Sequence, residues 1–364
     1  MTDVLLVSLG ATAGLRAADH ELAASLRRAG AAVECVTAAR PREVRTFAAT
    51  DLAWALAARR AARAGLAAYS PRAVLYSTTT AALLWPRPGA LRFDALAADT
   101  RPGRHGVWQR PVEARRLKRA PLLVPWSDGA RGASSGSKAV TVPFAVEASG
   151  TSGGERDVAA LTYGANWRKK GLDRVLAAWR ELAAAGADVA REPELVVAGV
   201  DAAHVANAWA AGGGAGPLPA SVRVTGPLAP AEYRALLRRA RVFVTAPRRE
   251  DYGIAQLEAL ADGCALVTSA APGPYAALPL ARVLDPHFVV EDGAGARALA
   301  SALRAALAAT DPARVSASRG QAGVEGHSAS CAPYAVRAAE ALAPFSRAAV
   351  DRDVAEELLP RLLG

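Results

Sequence analysis

Val242-Phe-Val-Thr-Ala-Pro-Arg-Arg-Glu-Asp-Tyr-Gly-Ile-Ala-Gln-Leu-Glu-Ala-Leu-Ala-Asp-Gly263 decides the reading of this chain. Val242–Thr245 reads as a strand, the next residues as a polar loop, and the helix starts near Ile254. In open α/β sheets, ligands bind outside the carboxyl end of such a strand. Gly253 permits close backbone approach, and a helix start offers unpaired N–H groups and a partial positive charge, which suits a diphosphate. On a helical wheel, Ile254, Leu257, Glu258 and Ala261 fall on one stripe, so a carboxylate shares an apolar face. That is costly unless something hydrogen-bonds it. A ribose diol is one such partner, because a carboxylate accepts from two adjacent hydroxyls. Glu258 then lies roughly 7 Å down the helix from Gly253, a fitting distance between a phosphate and a ribose. Glu250, on the loop, is placed to reach a sugar beyond the phosphates.

Outward from this stretch, strands alternate with helices on both sides. In the first half, Val4–Leu9, Val33–Thr37, Ala73–Tyr76, a segment around Leu91–Asp94, and Leu122–Pro125 read as strands, and Asp19–Ala29 as a helix closed by Gly30. Glu147-Ala-Ser-Gly-Thr-Ser-Gly-Gly-Glu155 is a linker, since small polar residues and glycines build no core. The alternation then restarts with strands at Ala159–Tyr163, Glu194–Val200, Val222–Thr225 and Ala265–Ser269, and helices at Leu172–Ala184 and Ala229–Arg239. Helices Ala296–Ala309 and Tyr334–Leu363, the second broken at Pro344, close the chain. The pattern predicts an α/β protein with two Rossmann-like parallel-sheet domains facing across a cleft. The expected domains are 1–147, 156–335 and a helical segment 336–364 crossing back to the N-terminal domain.

At 364 residues, 52% hydrophobic, the chain is too long for a single core. Three cysteines, Cys35, Cys264 and Cys331, are far apart and show neither a disulfide framework nor metal-ligand spacing. No basic leader precedes Val4, and no run of eighteen apolar residues occurs, so the expected location is cytoplasmic. The net charge is +10, carried almost entirely by arginine; only Lys118, Lys138, Lys169 and Lys170 are lysines. With 5% aromatic residues and no binding motif, nucleic acid is not the expected partner. A phosphate-bearing small molecule fits the charge, and the basic surface permits peripheral contact with the inner membrane face.

The stretch from Glu250 to Ser269 resembles the E-x7-E signature of the family 4 glycosyltransferases, whose pattern runs E-x-[FY]-G-[LI]-x-x-L-E-A-x-A-x-G-x-x-V-V. Leu161-Thr-Tyr-Gly-Ala-Asn-Trp-Arg-Lys-Lys-Gly-Leu-Asp-Arg174 is similar to that family's glycine-loop element. Gly226-Pro-Leu-Ala-Pro-Ala-Glu-Tyr-Arg-Ala-Leu-Leu-Arg-Arg-Ala240 resembles the element that flanks the nucleotide base. The resemblance implies the GT-B fold and a metal-independent, retaining hexosyltransferase with no cofactor. Its donor is a nucleotide-diphosphate sugar, UDP- or GDP-linked, and its acceptor is a hydroxyl of a glycan, glycolipid or natural product.

Carried over, Glu250 sits near the donor sugar, Glu258 binds the ribose, and the backbone of Asp251, Tyr252, Gly253, Ile254 and Ala255 meets the pyrophosphate and sugar. Gly164, Lys169 and Lys170 belong to the phosphate loop. Ala165 stands where the family usually has an arginine, so either Arg168 or Lys169 supplies the second phosphate contact. Glu250, Lys170 and Asp94 are the candidate catalytic residues. Asp94 survives from a His-Asp pair in which Phe93 replaces the histidine.

Gly14, in the loop after the first strand, matches one of two glycines in relatives. The glycine- and arginine-rich segment Asp99–Arg110 reads as a functional loop whose His105, Trp108 and Arg110 contact the acceptor. Two other classes stay open: a non-catalytic nucleotide-sugar binding protein, and a nucleotide-sugar epimerase on the same fold. A dinucleotide-dependent dehydrogenase is disfavoured, because Gly10–Gly14 lacks GxGxxG spacing.

Overall fold

The computed structural model describes residues 1–42, 44, 46–131, 138–150, 155–184, 193–311 and 334–364. Cys331 and the middle of the expected linker, 151–154, lie outside them. The chain forms two compact units, Met1–Ala145 with Pro344–Gly364, and Val146–Ala343.

The first unit runs β1 (Val4–Ser8), α1 (Ala13–Arg28), β2 (Val33–Thr37), α2 (Phe47–Tyr69), β3 (Ala73–Tyr76), α3 (Thr79–Ala82), β4 (Ala90–Phe93), α4 (Ala97–Thr100), α5 (Gln109–Arg119), β5 (Leu123–Pro125) and α6 (Asp128–Arg131). Its five strands are parallel, in the order β2-β1-β3-β4-β5. β1 is buried along its whole length, as expected of a strand covered on both faces.

Two readings change here. α1 begins at Ala13 rather than Asp19, because the Thr12 hydroxyl accepts from the Leu15 N–H and caps the helix. Gly14 is therefore in the first helical turn and not in the preceding loop. Asp99–Arg110 is also not one open loop: it comprises the end of α4, a 3₁₀ turn over Gly103–Gly106 and the start of α5.

The second unit runs β6 (Val158–Tyr163), α7 (Trp167–Lys170), α8 (Leu172–Ala184), β7 (Leu195–Ala198), α9 (Ala202–Ala211), β8 (Val222–Gly226), α10 (Pro230–Arg239), β9 (Ala240–Thr245), α11 (Ile254–Ala261), β10 (Ala265–Ser269), α12 (Ala277–Leu284), β11 (Val289–Val290) and α13 (Gly295–Ala309). Its parallel order is β11-β10-β9-β6-β7-β8. The order reverses direction between β6 and β9, which is the switch point of a Rossmann-like sheet. On α8, Leu172, Val175, Leu176, Trp179 and Leu182 repeat at helical spacing and are all buried. They pack with Leu299, Leu303 and Ala306 of α13 in one core.

The helix Tyr334–Ala341 stays with the second unit, its Tyr334 hydroxyl accepting from the Leu266 N–H at 3.2 Å. From Pro344 the chain returns to the first unit, where Val350, Val354 and Leu358 join Leu22, Leu26 and Leu75 in a core. Asp351 fastens this segment to α1, accepting from Arg28 Nε at 2.6 Å and Ser25 Oγ at 2.5 Å.

Leu358 is fully buried, so Leu358→Ala is expected to cost about 2–5 kcal/mol. Urea unfolding should show that loss in the transition of the first unit alone. The bond from Arg28 holds the Asp351 carboxyl below the usual carboxylate range. Its contribution is present above the unfolded pKa, about 3.9, and fades as pH falls through the folded value. Asp351→Asn is therefore expected to be less stable at pH 7, with the difference from the parent vanishing in acid.

Candidate active site at the switch point of the second unit

Two loops leave neighbouring strands at the switch point. One follows β6 through Gly164 and α7 to Gly171; the other follows β9 from Ala246 to Gly253 and enters α11. They are zipped together. The Arg248 N–H donates to Lys169 O at 3.0 Å, its guanidinium donates to Arg168 O at 2.8 Å, and the same group grips Asp173 at 2.8 and 2.5 Å. Gly171 has φ +67°, and a Cβ there would lie 1.8 Å from Ala246 O. Only glycine allows the two loops to touch this closely. Gly164 is buried, and a side chain there would press on Leu172.

This zip brings four charged residues together. Lys170 Nζ is 2.6 Å from Glu250 Oε2, and Lys169 Nζ is 2.6 Å from Asp251 Oδ2. Gln256 Nε2 also donates to Glu250 Oε2, at 3.2 Å, and Arg249 Nε donates to Asp251 at 2.8 Å. Burial pushes the Asp251 carboxyl up, but Lys169 and Arg249 outweigh it and hold the group below the usual range. The Arg168 guanidinium instead stacks on the Trp167 ring, 4.7 Å from its centroid. Lys169, not Arg168, is thus the second cation against the β9 loop. Glu250, read as placed on the loop to reach a sugar, is 4% exposed and turned inward between Lys170 and Gln256.

α11 begins with Gly253 at φ +93°, where a Cβ would lie 2.7 Å from the Tyr275 ring, and no side chain caps the helix. Its first N–H groups are therefore not engaged by a capping side chain, beside the two lysine pairs. Tyr252 is buried and its carbonyl accepts from Ala276 N–H at 3.0 Å; Ile254 and Ala255 are half-buried.

Glu258 departs from the helical-wheel reading. The buried side of α11 carries Gln256, Leu257, Ala259 and Leu260, whereas Glu258 shares a half-buried stripe with Ile254, Ala255 and Ala261. Its carboxylate meets a cation: Arg234 Nη1 of α10 lies 3.2 Å from Glu258 Oε1, and Arg234 Nε lies 2.8 Å from Asp262. Burial pushes the Glu258 carboxyl above the usual range, opposed by Arg234. Tyr163 and Tyr233 pack ring to ring nearby, 5.3 Å between centroids, and Glu258 adds to the upward push on both phenols.

The remaining candidates belong to the first unit. Asp94 is half-buried just past the carboxyl end of β4, and Phe93 is in the core, 2% exposed. Trp108 Nε1 donates to Ala48 O at 3.2 Å, and Arg110 donates to the carbonyls of Gly103 and Gly106. Trp108 thus ties the segment to α2, and Arg110 ties it to itself. His105 is exposed, edge-on to Phe47 at 5.7 Å.

Several contributors escaped sequence reasoning: Arg248, Arg249, Gln256 and Arg234. The first two stand in the run Arg248-Arg249-Glu250-Asp251, where two cations beside two acids gave a usable signal. Arg234 gave none, because its partner lies on another helix. A buried polar group in the first unit was missed as well. The Ser8 hydroxyl donates to Asp19 at 2.5 Å, and the Arg92 guanidinium lies 4.4 Å from the Trp126 ring centroid. Burial raises the Asp19 carboxyl, against Ser8 and Arg92.

Residues 158–309 match the family model described as "Glycosyl transferases group 1". No curated protein matches the chain in sequence. Among solved structures the chain is similar to sucrose-phosphate synthase from Thermosynechococcus elongatus, at 16% identity over 96% of each chain with a TM-score of 0.69. It is also similar to WaaG, a glycosyltransferase involved in lipopolysaccharide biosynthesis, at 14% identity over all of each chain with a TM-score of 0.69. HepE from Anabaena, solved with UDP and glucose, matches at 12% identity over 98% of this chain and 99% of its own, with a TM-score of 0.66. At these identities the likeness establishes the fold, which is GT-B.

The two lysine pairs differ in burial, and that difference is testable. The side chain of Glu250 is 5% exposed and that of its partner Lys170 23%, whereas the side chain of Lys169 is 40% exposed. Lys170→Met leaves a buried carboxylate unpaired and is expected to destabilise by about 3 kcal/mol. Lys169→Met is expected to cost under about 1 kcal/mol. Chemical denaturation of the two variants checks this ranking.

Proposed function

We propose that this chain is a glycosyltransferase that moves a sugar from a nucleoside-diphosphate sugar to an acceptor hydroxyl. The observation that carries the reading is the joining of Lys169 and Lys170 to Glu250 and Asp251, beside the uncapped start of α11. An ammonium has three donors, so the bond to a carboxylate leaves Lys169 and Lys170 capacity for phosphate oxygens. The carboxylates keep both cations in place before any ligand arrives. As the glycosidic bond breaks, the diphosphate gains negative charge, and fixed cations with helix-terminal N–H groups lower that barrier. The lysines supply the charge that a divalent cation supplies elsewhere, so the reading is of a metal-independent enzyme needing no cofactor.

In this reading Gly164 and the backbone from Asp251 to Ala255 line the diphosphate. Glu258 takes the ribose hydroxyls, with Arg234 holding its carboxylate in position. The partly exposed Tyr163 ring lies next to Glu258 on the side of the base. Glu250 acts near the sugar while fixing Lys170. The departing phosphate oxygen takes the acceptor's proton on the face it leaves, which gives retention of configuration. Asp94 is the candidate for orienting the acceptor. The match over residues 158–309 supports the donor half of this reading, and the GT-B likeness is compatible with the whole of it. The first unit gives weaker support for an acceptor site, because Trp108 is used in binding Ala48 O of α2 and Arg110 in binding the carbonyls of its own segment.

A thermal-shift series with UDP, GDP, ADP and dTDP tests the donor site. A nucleotide at a hundred times its Kd adds about 2.7 kcal/mol of stability. At least one is expected to raise the melting temperature, and Glu258→Ala is expected to abolish the rise. Glu250→Gln is expected to keep the rise while lowering transfer, read as donor turnover over a panel of acceptors. No shift with any nucleotide, or full transfer by both variants, would contradict the assignment. Binding without turnover would mark a binding protein.

A further inference from the structure

Arg234 is held at three points. Its Nη1 lies 3.2 Å from Glu258 Oε1, its Nε 2.8 Å from Asp262 Oδ2, and its Nη2 donates to Glu147 O at 2.6 Å. Glu258 belongs to the candidate nucleotide site. Glu147 stands just inside the second unit, whose first residue is Val146, and opens the linker. A guanidinium is planar, with its donors in a fixed fork. Moving one end of the fork therefore moves the other, and only 16% of this side chain is exposed.

The linker has further bonds to the same two helices. Asp262, the residue after α11, accepts from Ser149 N–H at 2.7 Å and from the Ser149 hydroxyl at 3.0 Å. Its side chain is 1% exposed and its carbonyl accepts from Arg156, so Asp262 is a fixed post. One turn along α10 from Arg234, Arg238 donates to Ser149 O at 3.3 Å and to its Oγ at 2.6 Å. Glu147, Ala148, Ser149 and Gly150 are all exposed. Burial contributes little there, and polar bonds to α10 and Asp262 hold the segment.

Two carboxylates share the Arg234 guanidinium. Burial pushes the Glu258 carboxyl up, and the Asp262 charge adds to that push, against Arg234. Hydroxyl groups that donate to Glu258 favour its ionised form, and an ionised carboxylate bonds a guanidinium more strongly.

We propose that Arg234 is a positioning residue through which a nucleotide on Glu258 tightens the linker, and through which the linker strengthens nucleotide binding. Ribose hydroxyls fix the Glu258 carboxylate, Glu258 fixes the guanidinium, and the guanidinium fixes Glu147 O. The ordering of Arg234 is common to both events, so each favours the other. The linker carries the chain from Ala145 of the first unit into the second, so donor occupancy is registered where the two halves of the chain are joined. The inference rests on the transferase reading for its ligand.

The test combines calorimetric affinity with amide hydrogen exchange of the full chain. The probe is whichever of UDP, GDP, ADP and dTDP raises the parent's melting temperature most. In the parent, bound nucleotide is expected to slow exchange in residues 147–150 as well as in the loops after β6 and β9. Ser149→Pro removes the N–H and hydroxyl offered to Asp262 and lies outside the nucleotide site. It is expected to weaken nucleotide binding at least about fivefold. Ser149→Ala, which removes the hydroxyl alone, is expected to show a smaller loss of the same sign and serves if the proline variant does not fold. Arg234→Lys keeps the charge but not the fork. It is expected to keep slowed exchange in residues 164–171 and 248–256 while losing it in 147–150. In the Arg234→Lys background, the Ser149 substitutions are expected to change affinity less than about twofold.

Unchanged exchange in residues 147–150 on nucleotide binding, or full affinity in every folded Ser149 variant, would overturn the proposal and leave the transferase reading standing. So would equal losses from the Ser149 substitutions in the parent and Arg234→Lys chains. No melting shift with any of the four nucleotides would overturn both.

Discussion

Arg248 and Gly171 fasten the loop after β6 to the loop after β9, and the candidate site hangs from that junction. The Arg248 N–H bonds Lys169 O, and its guanidinium holds Arg168 O and Asp173. Gly171 removes the one Cβ that would hold the strands' loops apart. The junction sits where the parallel order reverses between β6 and β9, a place where the sheet itself leaves a crevice. Lys169 and Lys170 face Glu250 and Asp251 because of it, and α11 starts next to them. The chemistry follows from the packing: two cations held by two acids form a preorganised seat for negative charge.

Burial then separates the roles within that seat. Glu250 is enclosed with Lys170 and Gln256, so its charge is committed to fixing a neighbour. Asp251 and Lys169 are nearer to solvent and are cheaper to rearrange. Glu258, raised by burial and paired with Arg234, keeps 24% of its side chain exposed, so its carboxylate can accept further hydrogen bonds. That is the kind of group a ribose diol satisfies.

The fold was legible where apolar spacing is carried by leucine and valine. Leu172–Ala184 and Ala265–Ser269 were read to the residue for that reason. α2 was not, because its buried stripe is largely alanine and glycine while Leu52 and Leu56 face outward, which weakens the usual signal. Gly14 was misplaced because Thr12, rather than the first acidic residue, caps α1. In the site, Lys169, Lys170 and Glu250 were legible as local motifs. Their pairing was not, since Lys170 and Glu250 are 80 residues apart. Arg234 was invisible to any local pattern: it approaches Glu258 from a different helix, and only the folded chain brings them to 3.2 Å. The helical wheel went astray at Leu257, which a single 3.6-residue stripe placed beside Glu258 although α11 buries Leu257 and leaves Glu258 at its edge.

The central claim is that a nucleoside diphosphate is held by the loops after β6 and β9. Amide hydrogen exchange, followed by mass spectrometry with and without a bound nucleoside diphosphate, tests it most directly. Protection is expected to rise in residues 164–171 and 248–256 together, because the same phosphates engage both loops. A bound nucleotide that leaves both segments unchanged, or that protects only residues of the first unit, would contradict the account.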